Sequence, residues 1–74
     1  MTLRELDLGQ SATIVALDLE GAERRRLLDL GLSIGTEVEA VRKSPLGDPV
    51  AYRIRGATVA LRREQAERIE VNPC

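Results

Sequence analysis

Three side chains in a row carry the densest chemistry in this sequence: Arg24, Arg25 and Arg26. Guanidinium groups present forked donors to carboxylates and phosphates. An arginine delivered to a nucleotide-hydrolysing partner can also stabilise a transferring phosphoryl group. The plainer reading is a solvated helix face. Cations in the first turns oppose the helix dipole, so Glu20 or Glu23 must offset them. The second candidate is the loop Pro45-Leu46-Gly47-Asp48-Pro49. Its prolines and glycine mark a turn. Leu46 at the tip either packs beneath the loop or docks on a partner. Asp48, placed before a proline, reads as a turn former rather than a ligand.

Other chemistry finds little to work with. First-row metals favour imidazole, thiolate or clustered carboxylates. The chain has no histidine and one cysteine, Cys74, so metal binding would fall to carboxylates such as Glu37, Glu39, Glu64 and Glu67. Those have adequate roles on a solvated surface, and neither an internal metal site nor a cofactor is expected. No nucleophile with a positioned base and no phosphate-binding loop is present, so no catalytic residue is expected either. Cys74 reads as a free thiol on a tail.

These residues must be positioned by a small scaffold. The chain has 74 residues, which makes residues 1–74 a single domain. One cysteine cannot form an internal disulfide, and the core must be aliphatic because Tyr52 is the only aromatic residue. The formal net charge is −1, which gives no global attraction to nucleic acid or anionic lipid. Nucleic-acid binding by a small barrel needs a basic face and aromatic stacking platforms, and a groove for proline-rich peptides needs stacked aromatics. One tyrosine supplies neither. No apolar run is long enough for a membrane span or a signal peptide, so the expectation is a cytoplasmic protein with no direct membrane insertion.

The patterning predicts a mainly β fold. Thr2-Leu3-Arg4-Glu5 has the form of a capping box opening a single helical turn. Ser11 to Leu17 is a first strand, with Ala12 and Ile14 the inward choice and Thr13, Val15 and Leu17 a nearly equal alternative face. A helix from about Ala22 to Leu30 follows, with Leu27, Leu28 and Leu30 as its buried stripe. Gly31 suits the left-handed stop, and Leu32 should fold back onto Leu27. Thr36 to Lys43 is a second strand. Val50, Tyr52 and Ile54 alternate inward along a third. Arg55-Gly56 turns the chain into a fourth strand bearing Val59 and Leu61. Arg62 to Glu67 reads as a helical turn, and Ile69 and Val71 lie on a fifth strand before an Asn72-Pro73-Cys74 tail.

Turn, strand, helix and then four strands is the order of a small SH3-like five-stranded barrel with one short α-helix between its first two strands. With those residues in view, the whole chain resembles the FeoA family, small cytosolic proteins of bacterial ferrous iron uptake. The resemblance lies in Leu27-Leu28-Asp29-Leu30-Gly31-Leu32, Gly35-Thr36-Glu37-Val38-Glu39, Pro45-Leu46-Gly47-Asp48-Pro49, Ile54-Arg55-Gly56 and Leu61-Arg62-Arg63-Glu64-Gln65-Ala66, in that order. It implies a non-catalytic accessory protein acting by contact with the cytosolic side of the FeoB-type ferrous iron permease. The alternative is a stand-alone regulatory domain akin to the C-terminal domain of iron-dependent repressors. The candidate partner-binding residues are Arg24, Arg25, Arg26, Leu32, Pro45, Leu46, Gly47, Asp48 and Tyr52. The apolar loop and exposed sheet edges permit self-association without requiring it.

Overall fold

Alternation of aliphatic and polar residues drives five short strands, and one helix is inserted where that alternation breaks. The computed structural model of the protein describes residues 1–74. The strands are β1 (Ser11–Leu17), β2 (Glu37–Lys43), β3 (Val50–Ile54), β4 (Ala57–Leu61) and β5 (Ile69–Pro73). Helix α1 (Gly21–Asp29) joins β1 to β2, and the single turn α2 (Arg63–Ala66) joins β4 to β5. All neighbouring strands are antiparallel, in the order β4-β3-β2-β1-β5. Register shifts at Ile14/Ala16 and Ala40/Arg42 mark bulges, which sharpen the local twist and let a narrow sheet curl around its own core.

Each strand turns alternate residues to the core, and on β1 the inward face is that of Ala12 and Ile14, not that of Thr13, Val15 and Leu17. Ala12 and Ile14, Val38 and Ala40, Val50, Tyr52 and Ile54, Leu61, and Ile69 and Val71 are buried together. Val59 is half-buried against them. The β3–β4 hairpin turns through Arg55 and Gly56, both with positive φ (51° and 82°). That is the combination of a type I′ turn, whose twist matches its strands.

The entry to the first strand follows the capping-box pattern with one change. The Glu5 carboxylate accepts from the Thr2 amide at 3.0 Å. The Thr2 hydroxyl donates to the same carboxylate at 3.2 Å instead of accepting from the Glu5 amide. These bonds to the ionised form hold the Glu5 carboxyl below the usual carboxylate range.

Helix α1 ends as its sequence predicts. The Leu32 amide donates to Leu27 O at 3.0 Å and the Gly31 amide to Leu28 O at 3.0 Å, the paired bonds of a Schellman stop. Gly31 has φ +100°, a conformation that strains any other residue, and a Cβ there would lie 3.2 Å from the Ile54 methyl, a tight contact that Ile54 would have to yield to. The reversal places Leu27 and Leu32 in one core.

Two expectations are corrected. The stripe Leu27-Leu28-Leu30 is not buried as a unit: Leu27 is fully buried, while Leu28 and Leu30 are each 38% exposed. A helix of nine residues turns only one narrow face to the sheet, and Leu28 lies about 100° around the axis from Leu27. Leu19 before the helix and Leu32 after it fill the remaining space. The tail is also shorter than expected. Asn72 and Pro73 extend β5 opposite Thr13 and Ala12, and the Cys74 amide donates to Ser11 O at 3.0 Å.

Leu27→Ala should destabilise the domain by about 2–5 kcal/mol through the cavity it leaves. Leu28→Ala should change stability by no more than about 0.5–1 kcal/mol, since its side chain already meets water. Urea unfolding of the two variants checks this, and equal losses would contradict the burial pattern.

Candidate functional site

The loop between β2 and β3 is short, polar in its backbone needs and rich in restricted residues. Those needs are met on three sides. Within the loop, Gly47 N–H donates to Ser44 O at 2.8 Å and Ser44 N–H to Pro49 O at 3.2 Å, while the Ser44 hydroxyl donates to Asp48 O at 2.7 Å. Gly47 takes φ +85° and the Asp48–Pro49 peptide is cis. From the N-terminal turn, Arg4 Nη2 donates to Gly47 O at 2.8 Å. From the far side, Asp48 Oδ1 accepts from the Arg63 amide at 2.9 Å. The carboxylate thereby satisfies one of the free donors at the start of α2 and ties the loop to it. Asp48 is thus a cross-link between two segments as well as a turn residue.

Leu46 stands on this fixed base and is 93% exposed, so it does not fold beneath its own loop. Pro45 beside it is exposed, and Gly47 and Asp48 are half-buried. Other large apolar side chains also meet solvent, Ile34 at 62% and Leu8 at 53%, but Leu46 is the most exposed of them.

The three arginines separate in role. Arg24 is half-buried, and its Nη1 donates to Leu17 O at 3.1 Å, which pins the start of α1 to the end of β1. Arg25 and Arg26 are exposed. Arg26 lines a cleft of about 560 Å³ together with Glu23, Pro49, Ala60, Arg62, Glu64 and Gln65. The fold therefore brings Arg26 to the same cleft as the end of the 45–49 loop, across more than twenty residues of sequence.

Leu32 and Tyr52 are corrected as surface contacts. Leu32 is fully buried and Tyr52 is 1% exposed. Leu32 is taken inward by the Gly31 reversal, and Tyr52 by the β3 alternation that already puts Val50 and Ile54 in the core. Tyr52 supports the candidate surface from beneath: its hydroxyl donates to Leu3 O at 3.4 Å, a long bond. Burial raises the pKa of this phenol, with Asp48 pushing the same way and Arg4 opposing.

Arg4, Ser44 and the Arg63 amide escaped the sequence reading. Arg4 and Arg63 act on partners 43 and 15 residues away, and no local pattern marks such pairs. Ser44 next to the proline-rich loop had a signal, because serine commonly bonds nearby backbone at turns. No three His, Cys, Asp or Glu side chains come together in a cluster that could hold a metal ion. No helix is long and apolar enough to cross a membrane.

Comparison with known proteins gives a consistent result. The family model described as the FeoA domain matches residues 1–73. A protein of Porphyromonas gingivalis, named as a fusion of Fe(2+) transport protein A with the Fe(2+) transporter FeoB, is 45% identical over 71 residues. That match covers 96% of this chain and only 8% of the relative. The solution structure of a FeoA protein from Chlorobium tepidum superposes with a TM-score of 0.93 at 41% identity, covering 99% of this chain and 70% of that one. The crystal structure of Stenotrophomonas maltophilia FeoA, complexed with zinc and described as a prokaryotic SH3 domain protein, gives 0.83 at 39% identity, covering 97% of this chain and 89% of that one. The mainly β, SH3-like architecture read from the sequence is therefore the fold of these proteins as well. A manganese-dependent transcriptional repressor shares that fold, with a TM-score of 0.89 at 21% identity, covering 100% of this chain and 36% of that one.

The buried phenol generates a pH dependence. Its folded pKa lies above the ordinary value of 10.0, so the neutral ring is favoured in the fold. The contribution is complete below pH 10 and is lost as pH rises through the raised folded value. Stability measured by urea unfolding should fall on this account above about pH 10, and Tyr52→Phe should flatten that alkaline slope. An unchanged slope in the variant would assign the fall to other groups.

Proposed function

The chain belongs to the FeoA family, a family associated with ferrous iron transport, and on that premise we propose that it is a cytoplasmic, non-catalytic accessory protein that acts by contact with the FeoB permease. The observation that carries this reading is Leu46, 93% exposed on a loop held by Arg4, Ser44 and the amide of Arg63. An apolar side chain on a rigid base loses little conformational freedom on binding beyond its own rotamers, which is the economy of a preformed anchor. Central apolar anchors surrounded by polar rims carry most of the energy of protein interfaces.

The polar part of this surface is assigned to Arg26, which shares a cleft with Pro49 at the end of the loop, and to the exposed Arg25 beside it in sequence, with Pro45, Gly47 and Asp48 shaping the loop around the anchor. Exposed arginines at a rim steer encounter with an acidic partner surface more than they hold the complex. Arg24 is left out of this surface, because its guanidinium is engaged with the strand. The relative in which both names belong to one chain supports permease association. The likeness to the repressor, at 21% identity, concerns the fold alone, so the transport reading takes precedence over a repressor-like regulatory role.

Titration of isotopically labelled protein with the soluble GTP-binding domain of the cognate permease tests the contact. Amide shifts are expected around Ser44–Val50 and at Arg25 and Arg26. Leu46→Asp should weaken binding at least about tenfold, near 1.4 kcal/mol, while leaving the fold intact. Charge reversal at Arg25 and Arg26 should slow association and reduce its salt dependence. Both variants binding and supporting iron uptake as well as the parent would remove this surface. GTP turnover unchanged in the presence of saturating protein would remove an arginine-finger role for Arg25 or Arg26 without touching the docking role.

A further inference from the structure

The sheet has two edges, and the chain treats them differently. The outer edge of β5 is covered by the N-terminus. The Val71 amide donates to Met1 O at 2.8 Å, the terminal ammonium donates to Val71 O at 3.3 Å, and Thr2 pairs with Glu70. β4 pairs with β3 on one side and with no strand on the other, and no loop or side-chain hydrogen bond reaches Ala57–Leu61.

We propose that this free edge of β4 receives an extended acidic peptide segment as an added antiparallel strand.

The register shows what the edge offers. Ile54 pairs with Ala57 next to the two-residue turn, Tyr52 with Val59 and Val50 with Leu61. In a two-residue hairpin the pair flanking the turn exchanges both hydrogen bonds, and every second pair repeats it. The amides and carbonyls of Ala57, Val59 and Leu61 therefore serve β3. Those of Thr58 and Ala60 point away from the sheet, giving two donors and two acceptors at strand spacing.

Edges left this way are usually guarded by charge, proline or a bulge. The sequence of β4, Ala57-Thr58-Val59-Ala60-Leu61, carries no charge and no proline, and its pairing with β3 runs without a register shift. Strand addition to such an edge draws its affinity from main-chain bonds and its selectivity from the pockets that alternate side chains enter.

Those pockets choose the occupant. Ala60 borders two clefts. One, of about 560 Å³, carries Arg26 and Arg62 alongside Glu23 and Glu64. The other, of about 300 Å³, carries Arg42 and Lys43 with no carboxylate among its lining residues. A chain whose net charge is −1 thus surrounds its open edge with four cations against two anions, and acidic side chains on the added strand are favoured.

A second copy fits poorly. Antiparallel pairing of β4 with itself, centred on Val59, brings Arg62 and Arg63 of one copy toward Arg55 of the other, and like charges across strands are destabilising. The surface adjoins that of Leu46, since Arg26, Pro45 and Pro49 line the clefts beside Ala60, but the contact is of a different kind: main-chain pairing along β4 rather than an apolar anchor.

The test uses a capped heptapeptide in which valine alternates with glutamate, a version with lysine for glutamate, and an acidic version N-methylated at alternate amides. The acidic peptide should shift the Thr58 and Ala60 amides most and slow their hydrogen exchange. The lysine and N-methylated peptides should bind at least tenfold more weakly. Ala60→Pro should also reduce binding at least tenfold, because the amide it removes takes no part in the β3–β4 ladder. If that variant unfolds, the N-methylated peptide decides on the unmodified protein. Equal binding of the acidic and lysine peptides, unchanged binding after N-methylation, or no shift at Thr58 and Ala60 would each overturn the proposal. Concentration-dependent shifts at those two amides without peptide would overturn it in favour of a second copy.

Discussion

The reversal at Gly31 is the constraint on which the rest of this domain depends. Two hydrogen bonds, from Leu32 to Leu27 and from Gly31 to Leu28, stop α1 and fold the chain back within five residues. A fully buried leucine contributes roughly 1.5–3 kcal/mol, and a domain of this size has only a few kcal/mol in hand. Leu27 and Leu32 are both fully buried, so this one turn positions a large share of the margin. It does so through a glycine at φ +100°, where a Cβ would be strained and would press on Ile54.

The same economy governs the candidate surface. The loop that carries Leu46 uses its own serine, an arginine from the N-terminal turn and an aspartate reaching to α2. Those bonds leave its backbone satisfied and its tip free. Arg24 shows the opposite outcome on the helix: its guanidinium is tied to Leu17 O and joins helix to strand. Two residues further on, Arg26 faces a cleft. One run of three identical side chains therefore divides between structure and surface according to helix phase and local carbonyl supply.

The sheet edges divide in a similar way. The N-terminal residues act as a partial sixth strand on β5, and nothing equivalent lies on β4. Guarding one edge with the chain's own terminus and leaving the other uncharged and straight makes the two sides of the barrel chemically distinct. Edge protection is a general need of β proteins, so an unguarded edge beside one basic and one mixed-charge cleft is a specific property of this surface.

The sequence by itself determined the element order, the inward residues of the third, fourth and fifth strands, the helix stop at Gly31 and the hairpin at Arg55-Gly56. These rest on local rules, alternation along a strand and positive φ at a turn, that a chain carries wherever it folds. The sequence did not decide which leucines of the 27–32 segment are buried, because a short helix offers one face and neighbouring segments compete for the remaining space. It did not separate Arg24 from Arg26 or join Asp48 to Arg63, and although its patterning turns Leu32 and Tyr52 inward, only the closed core excludes both from a contact surface. Each of those depends on groups far apart in the chain meeting at hydrogen-bond or packing distance, and only the closed tertiary structure sets that distance.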